Sequence, residues 1–436
     1  MRRLRLGATD RAILGLAIPA LGTIAMDPLL TLVDTAFVAR VGTNALAALG
    51  VDAALLSFAF FAFNFLAFVT TPLVARAMGR GDRERAAGVV GSAIVLVVAL
   101  GVAMTALVFV LAPLLVSLMG AEGEVARLAV SYLRIRSLAT TAVLMNLTGH
   151  GAFRGHKDTR TPFRVAVAIN VVNLLLDPLL IFGAGWGLQG AAAATATAQW
   201  VGAAWFFLLI RQRGMATFSR RLRESLPEIL ALGRNGMLLT LRTAFLLLGL
   251  AVAASTATRL GPSQIAAHQL VYQVWIFVMM VADALEIAGQ ALVGEEAGRG
   301  DAGRVYGLVR RLLGWSAVVG IVQAAVVVVA RPLLQLLTDD PEVAGLAIPA
   351  AGVAGLTLMI GAVVFALDGV FSGLLAFGTM AASTGLGCAV TVALLRWSPL
   401  RESLDGVWWA IGALVLVRGL VLAFRYRSAV RVATAS

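Results

Sequence analysis

Two carboxylates stand inside an apolar run near the start of the chain. Asp27 and Asp34 lie within LGTIAMDPLLTLVDTAFVARVGTNALAALG, from Leu21 to Gly50. An ionised carboxylate at bilayer depth costs about 2.5 kcal/mol or more, so such a group faces a cavity or a partner and binds an ion or a proton. Seven residues apart, the two share one face of a helix. Asp27, beside Pro28, reads equally well as a hydrogen-bonded kink residue. Asp34 has no such neighbour and is read as functional.

A second polar set lies in RVAVAINVVNLLLDPLLIFGAGWGLQG, from Arg164 to Gly190. Asn173 and Asp177 are four apart and share a face. Pro178 has no N–H and frees a carbonyl one turn earlier. The next apolar run opens AAAATATAQ and brings Thr195 and Thr197. Carboxylates, an amide and a hydroxyl form an all-oxygen set. It suits a proton, or Na⁺ where backbone carbonyls or water complete the shell. Asp34 and Asp177 are the pair expected to do this. Close together in a poorly solvated place, they would hold one proton between them, with Asn173 bracing both. Asn173 reads otherwise as interhelical glue, and either threonine as a back-bonded packing residue. The second half of the chain carries Arg242, His268, Asp283, Glu286 and Asp368 in apolar runs. Asp283 and Glu286 can share a face, and Arg242 is expected to pair with one of them. His268 reads as a satisfied interfacial imidazole.

These groups need helices to hold them. Of 436 residues 60% are hydrophobic and 13% charged, against about 25% charged in soluble domains. The chain is an all-α integral membrane protein by this measure. At about 20 apolar residues per crossing, twelve spans fit, with cores near 12–37, 46–73, 87–110, 125–150, 163–183, 188–210, 229–257, 264–292, 305–328, 344–371, 374–395 and 406–424. Pro19 can bend the first of them, and a bend that follows protonation would act as a switch. The Arg-rich start resembles the basic end of a signal peptide, but the apolar run behind it is long and holds Pro and Asp, so a retained span is expected. The phenylalanines of span two, Phe58, Phe60, Phe61, Phe63, Phe65 and Phe68, read as lipid-facing filler.

The net charge of +12 would suggest nucleic acid in a soluble chain. Here arginines gather on alternate loops: Arg2, Arg3, Arg5, Arg11, then Arg76 to Arg85, Arg154 to Arg164, Arg211 to Arg223 (including Arg220 and Arg221), Arg299 to Arg311, and Arg425 to Arg431. The other side holds Arg40, Arg127, Arg259, Arg331, Arg396 and Arg401. The positive-inside rule then puts both termini in the cytoplasm, in the plasma (inner) membrane. No nucleic-acid partner is expected. The single Cys388 excludes an intramolecular disulfide. No Walker motif, GxSxG elbow, HExxH or dinucleotide fingerprint occurs. The chain reads as a non-enzyme without cofactor, driven by an ion gradient.

Gly79-Arg80-Gly81-Asp82 returns 219 residues later as Gly298-Arg299-Gly300-Asp301, and Gly42 returns as Gly261. The chain is therefore read as a duplicated six-helix unit. The expected division is an N-terminal lobe over 1–211, a cytoplasmic linker over 212–228 and a C-terminal lobe over 229–436. The linker, within Arg211 to Glu228, is expected as an amphipathic surface helix. Six is even, so the lobes should be related by a pseudo-two-fold axis along the membrane normal, as in alternating-access carriers. At the same offset Asp34 falls on Ala253 and Asp368 on Gly149, so the carboxylates are placed differently in each half.

Met26 to Gly50 resembles the first span of the multidrug and toxic compound extrusion (MATE) transporters. RGHKDTRTPFRVAVAINVVNLLLDPLLIFGAGWGLQGAAAATATAQ, from Arg154 to Gln199, resembles the same family, and its DTRTP segment resembles the DinF-like subgroup. The resemblance runs from about Leu16 to Phe424. It implies two six-helix lobes and export of lipophilic, often cationic, organic compounds in exchange for H⁺ or Na⁺. It implies a cation site at Asp34, Asn173, Asp177 and Thr195. The Leu367-Asp368-Gly369 triplet matches the family's span-ten motif, so Asp368, with Glu286, Asp283 and Arg242, is a second candidate. Span seven has Arg242 where some sodium-coupled members have an acid, which favours coupling through the N-terminal site and H⁺ over Na⁺. A monomer is expected. A lipid-linked precursor flippase of the same superfamily is the alternative. It ranks lower because Arg242 alone is available to hold a pyrophosphate.

Overall fold

Long apolar runs in lipid leave the backbone to satisfy its own polar groups, and helices do so within one segment. The structure is a computed structural model that describes residues 7–218 and 222–435. Arg2, Arg3, Arg5, Arg220 and Arg221 lie outside the described residues, as do the side chains of Phe58, Phe60, Phe61 and Arg223. The described residues form α1 (Ala8–Ala39), α2 (Thr43–Phe63), α3 (Phe65–Gly79), α4 (Arg83–Leu118), α5 (Gly123–Ser137), α6 (Thr140–Gly155) and α7 (Arg160–Pro178). Then come α8 (Leu188–Gln212), α9 (Leu222–Leu260), α10 (Pro262–Gly298), α11 (Ala302–Ala330), α12 (Pro341–Gly373), α13 (Phe377–Trp397) and α14 (Leu404–Ala435). Among the described residues, ten spans are each long and apolar enough to cross a membrane. The expected span cores fall mostly on these helices, the fifth running on into the turn after Pro178 and the eleventh beginning in the turn before Phe377.

Two expected spans are each made of two helices. The second divides at Asn64 into α2 and α3. The fourth is α5 and α6, bent by 49°. At that bend hydroxyls take over the freed carbonyls. Ser137 donates to Arg134 O at 2.7 Å, Thr140 to Ser137 O at 2.7 Å, and Thr105 of α4 to Ser137 O at 2.9 Å. Hydroxyl compensation of this kind lets a span break inside the protein. Periodicity cannot see it, because both halves keep their apolar faces.

The stretch from Arg211 to Glu228 is not a separate surface helix. α8 runs to Gln212, residues 215–218 are irregular, and α9 begins at Leu222. Met215 is buried and Thr217 N–H donates to Ala87 O of α4 at 3.1 Å. The start of the linker is thus held by turns onto the end of α8, where Met215 N–H donates to Ile210 O at 2.9 Å, and by α4.

The chain divides into two compact units: Gly22–Gly236, and Met1–Leu21 with Met237–Ser436. The divisions fall inside α1 and inside α9, and α1 passes unbroken through Pro19. In the second unit the start of α1 is tied to α11, where Trp315 Nε1 donates to Asp10 Oδ1 at 3.1 Å. The core of the first unit gathers Leu66, Val90, Phe153 and Phe206, with Phe63 and Phe65 packed on it rather than serving as filler. That of the second gathers Val271, Trp275, Ala350 and Trp408. Leu175, Val329 and Phe424 are exposed, as lipid-facing side chains are.

The duplication is visible in the backbone. Gly81 and Gly300 adopt φ of 74° and 76°, a left-handed turn that suits glycine. The next residue caps a helix in each unit: Asp82 accepts from Arg85 N at 2.9 Å and Asp301 from Arg304 N at 3.0 Å.

In the second unit α10 and α12 pack closely because Gly369 has no side chain. A methyl there would lie on the Glu286 carbonyl and 2.9 Å from its Cα. Gly369→Ala is expected to cost about 1–3 kcal/mol through overpacking, read as a lowered unfolding midpoint in detergent.

Candidate functional site

α7 shows how an apolar helix carries polar cargo. Its buried residues include Val165, Ile169, Asn173 and Asp177, spaced four apart, while Val171, Leu174 and Leu175 are exposed. Asn173 and Asp177 therefore take two places on the inward stripe. Asp158 fixes where this helix starts. Its Oδ1 accepts from Thr161 N at 2.9 Å, its Oδ2 from Thr161 Oγ1 at 2.6 Å, and Arg213 Nη1 donates to Oδ2 at 2.9 Å. Partial burial pushes the Asp158 carboxyl up, but these hydrogen bonds and the guanidinium hold it below its ordinary value. The depressed value means Asp158 stabilises the fold above the ordinary carboxylate range and loses that contribution as pH falls through the folded value. Asp158→Ala is expected to lose about 1 kcal/mol, the worth of a helix cap. Its deficit in thermal unfolding should vanish at acid pH.

At its far end α7 stops at Pro178 and passes into a π-helical turn, Leu179–Gly183. Gly190 of α8 lies against this turn, where a methyl would meet the Leu180 carbonyl carbon at 2.7 Å. The close approach brings Thr195 of α8 to Asn173. The Asn173 amide satisfies all its neighbours in one orientation. Its Nδ2 donates to Asp34 Oδ1 at 2.9 Å and to Asp177 Oδ2 at 3.3 Å, and its oxygen accepts from Thr195 N at 3.3 Å. Thr195 Oγ1 donates to Ala191 O at 2.9 Å. The carboxyl groups of Asp34 and Asp177 are within hydrogen-bonding reach of each other. Asp177, Asn173 and Thr195 are buried and Asp34 is half-buried. All four expected residues therefore converge. Thr197 does not: it is exposed and back-bonds to Ala193 O at 2.8 Å. Asp27 stands apart, exposed, with Arg154 as its electrostatic neighbour.

The second unit holds a different cluster. Asp368 of α12 is 0% exposed, and its Oδ2 accepts from Arg242 Nη2 of α9 and Arg418 Nη2 of α14, each at 2.5 Å. Arg242 thus bonds Asp368 rather than Asp283 or Glu286. Those two carboxyls of α10 lie in its electrostatic surroundings. Glu286 is buried and accepts from Gln290 Nε2 at 3.3 Å. Two guanidiniums on one carboxylate oxygen make a fixed charge cluster, and they leave Asp368 one unbonded oxygen. His268 is not interfacial in character. It is buried, its ring centroid 5.4 Å from that of Trp408, and its Nδ1 has no hydrogen-bond partner among the described residues.

The MatE family profile matches residues 19–179 and 239–397, once in each half. The chain belongs to the MatE family. Among MatE relatives, Protein DETOXIFICATION 44, chloroplastic, of Arabidopsis thaliana is 30% identical over 434 residues, covering 96% of this chain and 82% of the relative. DNA damage-inducible protein F of Escherichia coli (strain K12) is 28% identical over 433 residues, covering 97% and 93%. The MATE transporter VcmN of Vibrio cholerae in its bent form superposes with a TM-score of 0.90 at 21% identity, covering 98% of each chain. That likeness concerns the fold: an all-helical transporter of twelve membrane helices in two lobes. As a MatE member the chain is a multi-pass membrane transporter of the multidrug and toxic compound efflux family, and not an enzyme.

Three charged residues of this MatE chain were not singled out from sequence. Arg418 sits inside span twelve, two turns before Arg425. Asp52 of α2 and Arg136 of α5 lie within expected spans, so the rule that marked Asp34 applies to both. Asp52 is 0% exposed, with neither carboxylate oxygen hydrogen-bonded among the described residues.

Proposed function

We propose that the chain is a secondary antiporter that exports amphipathic, cationic organic compounds by alternating access in exchange for protons. The coupling group is the Asp34–Asp177 pair, braced by Asn173 and Thr195. One observation carries the proton reading. Two carboxyl groups lie within hydrogen-bonding reach of each other in a site whose other members, Asn173 and Thr195, are buried. Two carboxylates so placed in a poorly solvated site share a proton. Proton release from the pair leaves like charges in contact, and relieving them gives the site two arrangements for access to follow. The transporter acts as a monomer in the plasma membrane with both termini in the cytoplasm.

The test is efflux of a fluorescent lipophilic cation from proteoliposomes under an imposed ΔpH or ΔNa⁺. A proton gradient alone should drive it. Flux that responds only to ΔNa⁺ overturns the proton assignment. Flux that responds to neither overturns antiport.

A further inference from the structure

The shared pair is not the only acid in its neighbourhood. Asp52 enters from α2, which packs along α5. On α5, Tyr132 and Arg136 are four apart and share a face. Arg136 is the electrostatic neighbour of Asp52 and also of Asp34. Tyr132 is buried and senses Arg136, Asp34, Asp52 and Asp177 together. One guanidinium thus lies in the electrostatic surroundings of two carboxylates, carried by α1 and α2.

Arg136 is nevertheless bonded to none of them. Its Nε and Nη1 are buried without a hydrogen-bond partner, and so are both oxygens of Asp52, among the described residues. A buried carboxylate without a partner, beside a guanidinium with two unpartnered nitrogens, is a costly arrangement. A fixed structural pair would close the contact, as Arg242 and Arg418 close on Asp368. These unpartnered atoms are the kind of buried polar groups that a bridging water satisfies.

We propose that Asp52 is a proton-relay carboxylate for the Asp34–Asp177 pair, with Arg136 as a counter-ion that turns between them. When the pair holds the proton, Asp52 is ionised and the guanidinium faces it. When the proton leaves the pair and binds an Asp52 oxygen, the guanidinium turns to Asp34. The four groups carry the same net charge before and after, so the transfer creates no new charge in a low-dielectric place. This inference rests on the proton reading of the pair.

The test uses the full-length transporter and reads the infrared band of protonated carboxyl groups, in H₂O and D₂O, as the protein is acidified. Wild type should gain several components. Asp52→Asn should lack one, and Asp34→Asn a different one. Arg136→Gln should enlarge the Asp52 component at neutral pH, because the cation that held Asp52 ionised is gone, and Arg136→Lys should restore the wild-type amplitude. An Asp52→Asn spectrum identical to wild type would show a permanently ionised side chain and end the proposal. If Asp52→Asn does not fold, an unchanged Arg136→Gln spectrum ends it equally. The band reports on Asp52 whatever ion drives transport, so failure of the relay and failure of proton coupling read out separately. ΔpH-driven efflux should slow in Asp52→Asn while substrate binding stays at the wild-type level.

Discussion

Asp34→Asn is expected to cut ion-driven efflux sharply. The asparagine keeps the size of the side chain and can still hydrogen-bond Asn173, so the fold should survive. What it loses is the capacity to bind and release a proton. Coupling between two ligands of a transporter is typically worth 1–3 kcal/mol, so ΔpH-stimulated efflux should fall by roughly 5- to 150-fold. Asp177→Asn should behave the same way, because the two carboxyl groups act as one site. Asn173→Ala should weaken both, since its amide nitrogen reaches Asp34 Oδ1 at 2.9 Å and Asp177 Oδ2 at 3.3 Å. Substrate binding in detergent should be unchanged in all three. Initial efflux rates in proteoliposomes decide the matter, and full activity in Asp34→Asn would remove the amino-terminal site from the mechanism.

The largest stability effect is expected at Asp368. Its Oδ2 holds two guanidiniums at 2.5 Å, and Arg418 is 1% exposed. Asp368→Asn strands both charges, leaving Glu286 and Asp283 of α10 as the remaining acids in their surroundings. Breaking a buried pair by removing one partner costs about 3–5 kcal/mol. Arg418→Met should cost less, because Asp368 then keeps Arg242. The check is unfolding in detergent by heat or denaturant, run beside ΔpH-driven efflux. A structural cluster predicts lost stability with coupling retained in the surviving protein. The reverse, normal stability with coupling lost, would make Asp368 a second cation site instead.

Both predictions show where reading along the chain reaches and where it stops. The spans were legible because an apolar run of sufficient length has one solution in lipid. The duplication was legible because a glycine turn followed by an aspartate cap constrains the backbone in the same way twice, at Gly81-Asp82 and Gly300-Asp301. The pairing of Asn173 with Asp177 follows from their spacing of four on one helix. What spacing determines is which face of a helix a residue occupies. It does not determine which faces meet. Thr195 and Thr197 were equivalent by composition and family resemblance chose between them, but packing of α8 on the π turn after Pro178 is what puts one beside Asn173 and leaves the other exposed. Arg242 had three acids to choose from, and only the approach of α9, α12 and α14 joined it to Asp368 together with Arg418. Asp52 and Arg136 share a neighbourhood because α2 lies along α5, a pairing of positions 84 apart in sequence that no periodicity encodes.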